Sequence, residues 1–466
     1  MIAFDNSYAR LPDRFHARVA PIPVPAPDWI AFNAPLAKAL GLDTRTLSGA
    51  DGLQMFAGNA VPDGATPIAA AYAGQQFGHW SPQLGDGRAV LLGEVVALDG
   101  ERYDIQLKGS GRTPWSRGGD GRAWLGPVMR EFIVSEAMAA LGIPTTRALA
   151  AVTTGESVMR EAVMPGAILT RVARSHLRVG TFQYFAIRED REALDMLCSY
   201  AIKRLHPQAA DAVGLLRAVV KAQAELVARW MGVGFIHGVM NTDNVAISGE
   251  TIDYGPCAFM DEYRHDRLLS SIDTGGRYRY GQQPAVAHWN LVQFAQSLLP
   301  LIDNDADRAI VIAQAEVDSF APAYEAARLK HFAAKIGIDD SQPDDVSLID
   351  ELLAAMETEA ADFSNTFRAL ADGPPAFDMD SSWIERWQRR AGMSADMAAT
   401  IRAANPAVIP RNHLIERAIA AGLEEDFAPF ETLWAATTAP FVDPEDTALF
   451  GPPKSGERVL ATFCGT

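Results

Sequence analysis

Cysteine is scarce in this chain of 466 residues, which has three, at positions 198, 257 and 464. So few and so widely separated thiols exclude a disulfide framework and a cysteine-rich zinc site. Positive charge is in deficit as well, because 58 acidic residues outnumber 41 Lys and Arg and give a net charge of −17. A surface of that sign disfavours general binding to nucleic acids or to anionic membranes.

Long apolar runs are also missing from the sequence. No stretch of about 18 apolar residues predicts a membrane span, and the N-terminal stretch MIAFDNSYARLPDRFHARV lacks the apolar segment of a signal peptide. The composition, 48% hydrophobic and 21% charged, is typical of a globular protein with a large core. We therefore expect a cytoplasmic protein without nucleic-acid or membrane partners, and nothing in the sequence requires more than a monomer.

The hydrophobic pattern divides the chain into two regions. The first sixty or so residues are rich in Pro and Ala and show no clean strand pattern. Between residues 89 and 173, four runs predict strands, and a helix that begins near Pro127 and ends at Gly142 interrupts them. After about Arg174 helical periodicity dominates, including a long run from 345 to 371. The sequence thus predicts an α+β protein whose sheet-containing N-terminal region precedes a helical C-terminal region.

One predicted strand, RYDIQLKG, carries a lysine of functional interest. Apolar residues alternate in it with Asp104, Gln106 and Lys108, which predicts a half-buried strand with Lys108 on the polar face. Glu131 lies on the predicted helix that follows. Kinases hold phosphates with a strand lysine that is paired with a helix glutamate, although the same order is common in surface ion pairs.

Glycine-rich segments flank these strands, GHWSPQLGDGRA (78–89) and GSGRTPWSRGGDGRA (109–123), and each contains Asp-Gly-Arg. Glycines let backbone N–H groups approach phosphates, and a neighbouring arginine adds charge-assisted bonds. Ordinary hairpin turns are the alternative. A further segment, TRVARSHLRVG, contains Arg171, Arg174 and Arg178. On a helix they would share a face, either as a phosphate site or as a solvated surface.

The most informative stretch is FIHGVMNTDNVAISGETIDYG (235–255). Kinase catalytic loops read His-Arg-Asp, four residues and Asn, with Asp-Phe-Gly further on. Here Asn244 lies seven residues after His237 and Asp253 begins Asp-Tyr-Gly, but Val239 occupies the position of the catalytic Asp. Asn and Asp supply the oxygen ligands that Mg²⁺ prefers, and Asp243 is the remaining carboxylate of the loop. The pattern indicates a metal–phosphate site with Asp243 as base, or else two unrelated polar turns.

Together these segments resemble the selenoprotein O family of kinase-like proteins. The similarity covers most of the chain in the expected order, in YAGQQFGHWSPQLGDGRAVLLGE, DIQLKGSGRTPWSRGGDGRAWL, REFIVSEAM, HGVMNTDN, IDYGPCAFMDEY and NPAVIPRNHLIE. The resemblance implies a bilobal protein-kinase-like fold with an antiparallel sheet and one main helix in its N-lobe and a larger, mainly helical C-lobe. The expected boundaries are 1–60 for an N-terminal extension, 61–174 for the N-lobe, 175–445 for the C-lobe and 446–466 for the tail.

The resemblance also implies an activity. Members of this family bind ATP in a reversed orientation and transfer AMP to protein hydroxyls with release of pyrophosphate. The implied co-substrate is ATP, with UTP as an alternative, the implied metal is Mg²⁺ or Mn²⁺, and the implied acceptors are Ser, Thr or Tyr of other proteins or of the chain itself. Carried over by position, Asp243 accepts the proton, Asn244 and Asp253 hold the metal, and Glu131 positions Lys108. The implied nucleotide-binding residues are Gly85, Gly87, Arg88, Lys108, Asp120, Gly121, Arg171, Arg178 and Asp253.

A reversed nucleotide would explain Val239. The reacting atom becomes the α-phosphorus, so the base is no longer needed at position 239. Two alternatives stay open, an ordinary phosphotransferase that uses Asp243 and a nucleotide-binding pseudokinase scaffold. Val239 favours the scaffold over the phosphotransferase, whereas the complete set of Lys108, Asn244 and Asp253 disfavours a scaffold.

The resemblance gives two cysteines a role. Some family members carry selenocysteine very near the C-terminus, and Cys464 has the like position in ATFCGT. Cys257 lies four residues after Asp253. The resemblance implies a reversible Cys257–Cys464 disulfide that ties the tail to the active lobe. The alternative is two free thiols in a reducing cytoplasm.

Overall fold

The computed structural model describes residues 2–392 and 394–463. Within them, eight strands form the main sheet in the order β1-β3-β6-β7-β10-β9-β2, with β8 beside β10. Every pairing in this sheet is antiparallel. Two further strand pairs, β4–β5 and β11–β12, form separate two-stranded sheets. The strands are β1 (His16–Arg18), β2 (Trp29–Phe32), β3 (Ile68–Ala70), β4 (Gly74–Gln76), β5 (His79–Ser81), β6 (Ala89–Val96), β7 (Arg102–Lys108), β8 (Ala123–Trp124), β9 (Arg147–Met159), β10 (Val163–Ala173), β11 (Phe235–Ile236) and β12 (Ala258–Phe259).

The central strands agree with the sequence prediction in position but not in burial. Strand β7 is buried on both faces from Asp104 to Lys108, so the expectation of a half-buried strand was wrong. Its apolar face packs into a small second core beneath the short helices between residues 34 and 56. Its polar face is also covered, because Asp104, Gln106 and Lys108 each have a polar partner inside the protein. Buried polar side chains are tolerated when they are hydrogen-bonded in this way.

The first sixty residues contribute two strands that the sequence pattern did not reveal. Strands β1 and β2 lie at opposite edges of the main sheet. Each has only three or four residues, which is too short for a visible alternation of apolar and polar positions. Three short helices connect β2 to β3 and cover one face of the sheet.

The helical region matches the predicted runs with one exception. In the described residues the α-helices are α1 (Ala34–Ala39), α2 (Thr44–Leu47), α3 (Ala50–Phe56), α4 (Leu125–Ala140), α5 (Val179–Ala186), α6 (Arg191–Leu205), α7 (Ala212–Gly232), α8 (Gln283–Ile302), α9 (Ala306–Asp318), α10 (Phe320–Lys335), α11 (Asp345–Thr358), α12 (Phe363–Ala369), α13 (Ser381–Ala391), α14 (Ala395–Ala404), α15 (Asn412–Leu423) and α16 (Ala428–Thr437). The run 345–371 is two helices, because Ala360 adopts a positive φ of 49° and Asp362 caps α12 by accepting from Asn365 N at 2.9 Å.

Helix α4 is the main helix of the sheet region, as predicted. Pro127 lies in its first turn, and Gly142 follows its end with φ at +73°. Phe132 packs edge-on against Trp434 of α16 with ring centroids 4.9 Å apart, so the last helices of the chain cover α4. Its buried side chains belong to a large core that continues into α7, α8 and α10. None of the helices in the described residues is long and apolar enough to cross a membrane.

Candidate active site

A cavity of about 690 Å³ opens between the sheet region and the loops around residues 237–256. The sequence-predicted site residues converge there although they are spread over almost 170 positions. One predicted residue, Glu131, lies behind the wall and contacts Lys108. The predicted residues that line the cavity are Gly85, Gly87, Arg88, Lys108, Asp120, Gly121, Arg171, Arg178, Asp243, Asn244 and Asp253.

Lys108 and Glu131 form a buried ion pair. Lys108 is the last residue of β7, and its Nζ lies 2.6 Å from Oε2 of Glu131 on α4. Burial and the nearby Arg171 lower the pKa of Lys108. Burial opposes the ionisation of Glu131, but the charges of Arg171 and Lys108 outweigh it and lower the pKa of that carboxyl. The alternative of a surface ion pair is therefore excluded, since both side chains are almost wholly shielded from solvent.

Asp253 is the point at which the cationic side chains meet. Its carboxylate contacts Lys108 Nζ at 3.3 Å, Arg178 Nη1 at 3.1 Å and Arg171 Nη2. Burial favours the protonated acid, but these three cations lower the pKa of Asp253 well below its usual range. Its φ of +65° is uncommon for a residue with a side chain and marks a constrained turn at the start of Asp-Tyr-Gly.

The arginines of TRVARSHLRVG do not share a helix face, contrary to the sequence expectation. Arg171 lies in strand β10, and Arg178 is the residue before α5. The turn between the two elements brings both side chains to Asp253. Arg174, between them, is directed elsewhere, with Nη2 3.6 Å from Glu101. The cavity thus receives two of the three arginines.

The loop from His237 to Asn244 is joined to the Asp-Tyr-Gly segment through its histidine. His237 Nε2 donates to the carbonyl of Ile252 at 2.8 Å, and Nδ1 accepts from Val239 N at 3.3 Å. Burial lowers the pKa of His237, which is consistent with a neutral ring in this structural role. Asn244 Nδ2 donates to the carbonyl of Val239 at 3.0 Å, so the loop closes on itself between these two residues.

Asp243 lies in a single helical turn, Thr242–Asn244, on the cavity wall. Its Oδ2 accepts from Gln76 Nε2 at 3.0 Å, whereas Oδ1 is buried with no hydrogen-bond partner among residues 2–392 and 394–463. Burial raises the pKa of Asp243 to about 6. Gln76 was not identified from the sequence. The sequence feature that could have identified Gln76 is its position in GQQFGHW, which belongs to one of the segments similar to the family.

The first Asp-Gly-Arg turn packs against residues 113–116 of the second glycine-rich segment at one end of the cavity. Thr113 Oγ1 donates to the carbonyl of Asp86 at 2.7 Å, and Ser116 Oγ donates to that of Gly87. A Cβ on Gly85, whose φ is +108°, would lie 2.6 Å from the Trp115 ring, so a side chain would not fit there. The two segments are thus held together by these contacts, and residues of both line the cavity.

The arginines of these two turns have different surroundings. Arg88 lines the cavity, and no carboxylate within the described part of the chain forms an ion pair with it. Arg122 is engaged by Glu156, with Nε 2.9 Å from Oε2. Asp120 is held by Arg160 through two contacts of 2.8 and 3.1 Å, which lower the pKa of Asp120. Arg160 thus orients the second turn, and the sequence pattern did not single it out.

The donor set for a metal ion is small. Asn244 and Asp253 line the same cavity, and the bond from Asn244 Nδ2 to Val239 leaves the amide oxygen for a cation. Over the ranges that the structure describes, no group of three or more His, Cys, Asp or Glu side chains forms a metal cluster. One carboxylate and one amide fit Mg²⁺ or Mn²⁺, because such ions complete their coordination with substrate phosphates and water.

Near the site, Cys257 is buried and its Sγ lies 3.2 Å from the carbonyl of Tyr254. Burial raises the pKa of its thiol to about 12. The C-terminal segment reaches this place, because Thr462 Oγ1 donates to the carbonyl of Pro256 at 2.6 Å. Cys464 lies outside the described residues.

The buried Lys–Glu pair, the Asp-Tyr-Gly carboxylate and the nearby Asn lie around one cavity, as in enzymes that act on nucleotide phosphates. The family model described as "Protein adenylyltransferase SelO" matches residues 1–438, and the chain belongs to this family. The family predicted from the sequence is thereby confirmed.

Bacterial relatives match over nearly their whole length. A protein nucleotidyltransferase YdiU from Ruegeria pomeroyi is 57% identical over 100% of this chain and 99% of its own. The protein of the same name from Jannaschia sp. is 56% identical over 99% of both chains. That from Rhizobium etli is 53% identical over 100% of this chain and 97% of its own. These relatives support the nucleotidyltransferase class that the sequence predicted.

Proposed function

We propose that this protein transfers AMP from ATP to Ser, Thr or Tyr hydroxyls of proteins and releases pyrophosphate. The observation that carries the proposal is the position of Asp243. Its carboxylate lies on the same cavity as Lys108, Arg171 and Arg178, while Val239 replaces the base of an ordinary kinase. The family description and the names of the relatives support the same reaction class.

The cationic side chains would hold the triphosphate. Lys108, Arg171 and Arg178 now converge on Asp253, and Arg88 lines the same cavity. Bound phosphates would compete for these donors, and the same donors stabilise the negative charge that develops on leaving pyrophosphate. Glu131 keeps Lys108 and Arg171 in place, since it contacts both. Gly85, Gly87, Asp120 and Gly121 would shape the turns around the phosphates.

Asn244 and Asp253 would hold Mg²⁺ or Mn²⁺. When bound, such an ion neutralises phosphate charge and polarises the P–O bonds. The amide and carboxylate oxygens of these residues are the donors that this role requires. Both lie on the cavity wall, where phosphates would supply the remaining ligands.

Asp243 would accept the proton of the acceptor hydroxyl. As the hydroxyl oxygen bonds to the α-phosphorus, the bond from that phosphorus to the oxygen of the β-phosphate breaks and pyrophosphate leaves. The proton passes to the Asp243 carboxylate, which lines the cavity. A carboxyl with a pKa of about 6 is a stronger base than an ordinary aspartate and is still ionised at neutral pH.

The finer structural predictions form part of the same proposal. The sheet region (61–174) and the helical region (175–445) would be the two lobes of a kinase-like fold, with residues 1–60 as an extension and 446–466 as a tail. The location of the cavity beside residues of both regions supports this arrangement. A monomer in the cytoplasm and use of UTP beside ATP also remain proposals.

The Cys257–Cys464 disulfide is proposed on the same family resemblance. The contact of Thr462 with Pro256 supports it, because it seats the tail one residue from Cys257 along the chain. Non-reducing electrophoresis of the oxidised protein should show a faster band that is missing in Cys464→Ala and retained in Cys198→Ala. A band retained in Cys464→Ala would refute this pairing.

A label-transfer assay tests the proposed reaction. The protein is incubated with Mg²⁺ or Mn²⁺, a lysate as acceptor, and ATP labelled at the α- or the γ-phosphate. We expect protein labelling from the α position alone, abolished in Asp253→Ala and retained in Asp266→Ala, an exposed aspartate nearby. Labelling from the γ position alone would identify a phosphotransferase. ATP binding without any labelling would identify the scaffold.

A further inference from the structure

The β4–β5 hairpin is fastened to the loop that carries Asp243. Three consecutive hairpin residues donate hydrogen bonds to three consecutive loop residues. Two of the donors are main-chain N–H groups and one is a side-chain amide. The pairs are Gln75 N with Thr242 Oγ1 at 2.7 Å, Gln76 Nε2 with Asp243 Oδ2 at 3.0 Å, and Phe77 N with Asn241 Oδ1 at 3.0 Å.

The hairpin turn is held in a constrained conformation. Phe77 has a φ of +52°, which is uncommon for an aromatic residue. Its ring lies 5.2 Å from that of Tyr278, whose hydroxyl donates to Asn241 Oδ1 at 2.7 Å. Such a backbone persists when surrounding contacts determine it. The position of the neighbouring Gln76 is therefore fixed relative to the loop.

The carboxylate of Asp243 depends on Gln76 for its orientation. Arg178 Nη1 donates to the main-chain carbonyl of Asp243 at 2.7 Å and to Asp253, not to the Asp243 side chain. Within the described residues, Gln76 is the one hydrogen-bond donor to that carboxylate, and Oδ1 has none. Gly74 closes the other side, because a Cβ there would lie 2.5 Å from Oδ1.

We propose that Gln76 is a positioning residue for the transfer reaction, and that it fixes the orientation in which the Asp243 carboxylate meets the acceptor hydroxyl. This inference rests on the proposed function, in which Asp243 is the base. The Gln76 amide occupies Oδ2 and exchanges no proton itself. The proton of the hydroxyl goes to the Asp243 carboxylate as the new P–O bond forms and pyrophosphate departs.

The β4–β5 hairpin also borders the cavity that contains Asp243. Gln76 and Phe77 line the cavity, so the hairpin borders the space in which the acceptor hydroxyl must approach Asp243. A base whose orientation depends on one neutral amide is sensitive to the geometry of that amide. Misplacement of a reacting group by about 1 Å costs on the order of a hundredfold in rate.

Steady-state AMP transfer from α-labelled ATP separates a positioning role from nucleotide binding and from a purely structural role. The variants are Gln76→Ala, Gln76→Glu, Asp243→Ala and the double variant Gln76→Ala/Asp243→Ala. His79→Ala is the control, since His79 pairs with Gln76 across the hairpin and is exposed. Slow variants are followed in single turnovers with enzyme in excess.

We expect Gln76→Ala to lower kcat about 10- to 100-fold with the KM for ATP unchanged. Gln76→Glu should lose as much, because a carboxylate of the same shape cannot donate to Asp243. His79→Ala should keep the wild-type kcat. In the Asp243→Ala background, Gln76→Ala should cause no further loss, as is expected when one residue acts through the other.

Other outcomes would overturn the inference in distinguishable ways. A Gln76→Glu variant at the wild-type rate, or an equal further loss in the Asp243→Ala background, would reject the positioning role and leave the proposed function intact. A raised KM for ATP with unchanged kcat would make Gln76 a nucleotide contact instead. Wild-type activity in Asp243→Ala would remove the base assignment, and the role of Gln76 with it. If Asp243→Ala falls below detection, the Gln76→Glu comparison decides.

Discussion

Lys108 Nζ lies 2.6 Å from Glu131 Oε2, and both side chains are buried. Glu131 also accepts from Arg171 Nε, so one carboxylate fixes two cations. Removal of the carboxylate and removal of the lysine should therefore have different effects on stability.

Lys108→Met should abolish transfer while the protein remains folded. The variant removes the charge that the proposed function assigns to the triphosphate, but Glu131 and Asp253 both keep Arg171 as a partner. We expect at least a hundredfold loss of kcat/KM for ATP, measured with α-labelled ATP. A Lys108→Met variant with near wild-type activity would exclude Lys108 from the triphosphate site.

Glu131→Ala should lower both activity and stability. It leaves the buried Lys108 and Arg171 with one carboxylate partner fewer. Breaking a buried pair in this way costs about 3–5 kcal/mol, which urea unfolding would detect. Glu416→Ala is a suitable control, because that exposed carboxylate is also an arginine partner. Equal losses in the two variants would contradict the special position of Glu131.

Arg160→Ala should weaken nucleotide binding more than catalysis. Arg160 holds Asp120 through two contacts and also donates to the carbonyl of Arg122 at 2.7 Å. Without these contacts the second Asp-Gly-Arg turn loses its orientation. We expect the KM for ATP to rise about tenfold with a small change in kcat. The control is Arg45→Ala, which removes an exposed arginine distant in sequence from Arg160 and should match the wild type. A fall in kcat at constant KM would argue against this role.

Glu250→Gln should stabilise the protein at alkaline but not at acidic pH. Burial raises the pKa of Glu250 to about 7 in the folded protein. Below the unfolded-state pKa the carboxyl is protonated in both states, so it imposes no penalty. As the pH rises from that value to about 7, the Glu250 carboxyl ionises in the unfolded protein before it ionises in the folded one, and the free energy of unfolding falls. A shift of two to three units corresponds to about 3 kcal/mol.

Urea unfolding at pH 4 and pH 8 measures this difference. The glutamine has the shape of the neutral acid, and its oxygen can still accept from Ser248 or from the main-chain N of Arg174, the present partners of Glu250. A variant that is equally stabilised at both pH values would show that packing, not ionisation, is responsible. Asp195→Asn on α6 provides a control for loss of an acidic side chain at an exposed position.

Arg411→Ala should destabilise the fold by about 3–5 kcal/mol. Arg411 is buried in the segment NPAVIPRNHLIE and contacts Asp261 at 2.5 Å and Asp362 at 2.7 Å. Its loss leaves two shielded carboxylates next to each other. Arg417→Ala removes an exposed arginine on α15, the helix that begins directly after Arg411, and should change the free energy of unfolding little. Similar unfolding midpoints for both variants would contradict the prediction.

Local patterns were sufficient for much of the fold. Strands β6, β7, β9 and β10 and helix α4 were predicted near their observed bounds, because apolar periodicity and the Pro and Gly at the helix ends are local properties. Strands β1 and β2 were missed because they are too short to show a period. The turn at Ala360 was missed because a single positive φ leaves no pattern in the sequence.

The residues of the candidate site also divide into those that the sequence could identify and those that it could not. Family-like segments and residue types were sufficient to name Lys108, Asn244, Asp253 and Asp243. The contacts of Gln76 and Arg160 were not predictable, because each depends on a partner that the fold brings close. Gln76 contacts Asp243 across 167 positions, and Arg160 contacts Asp120 across 40.

The sequence by itself determined which chemical groups are available, namely a strand lysine, a helix glutamate, the amide of Asn244 and the carboxylates of Asp243 and Asp253. Only the tertiary structure decided their ionisation and their partners. Three cations outweigh burial and hold the pKa of Asp253 well below its usual range, whereas at Asp243 burial outweighs Arg178 and the Gln76 hydrogen bond and raises the pKa. The two residues have the same side chain, and their different behaviour arises from the charges that the fold places around each of them.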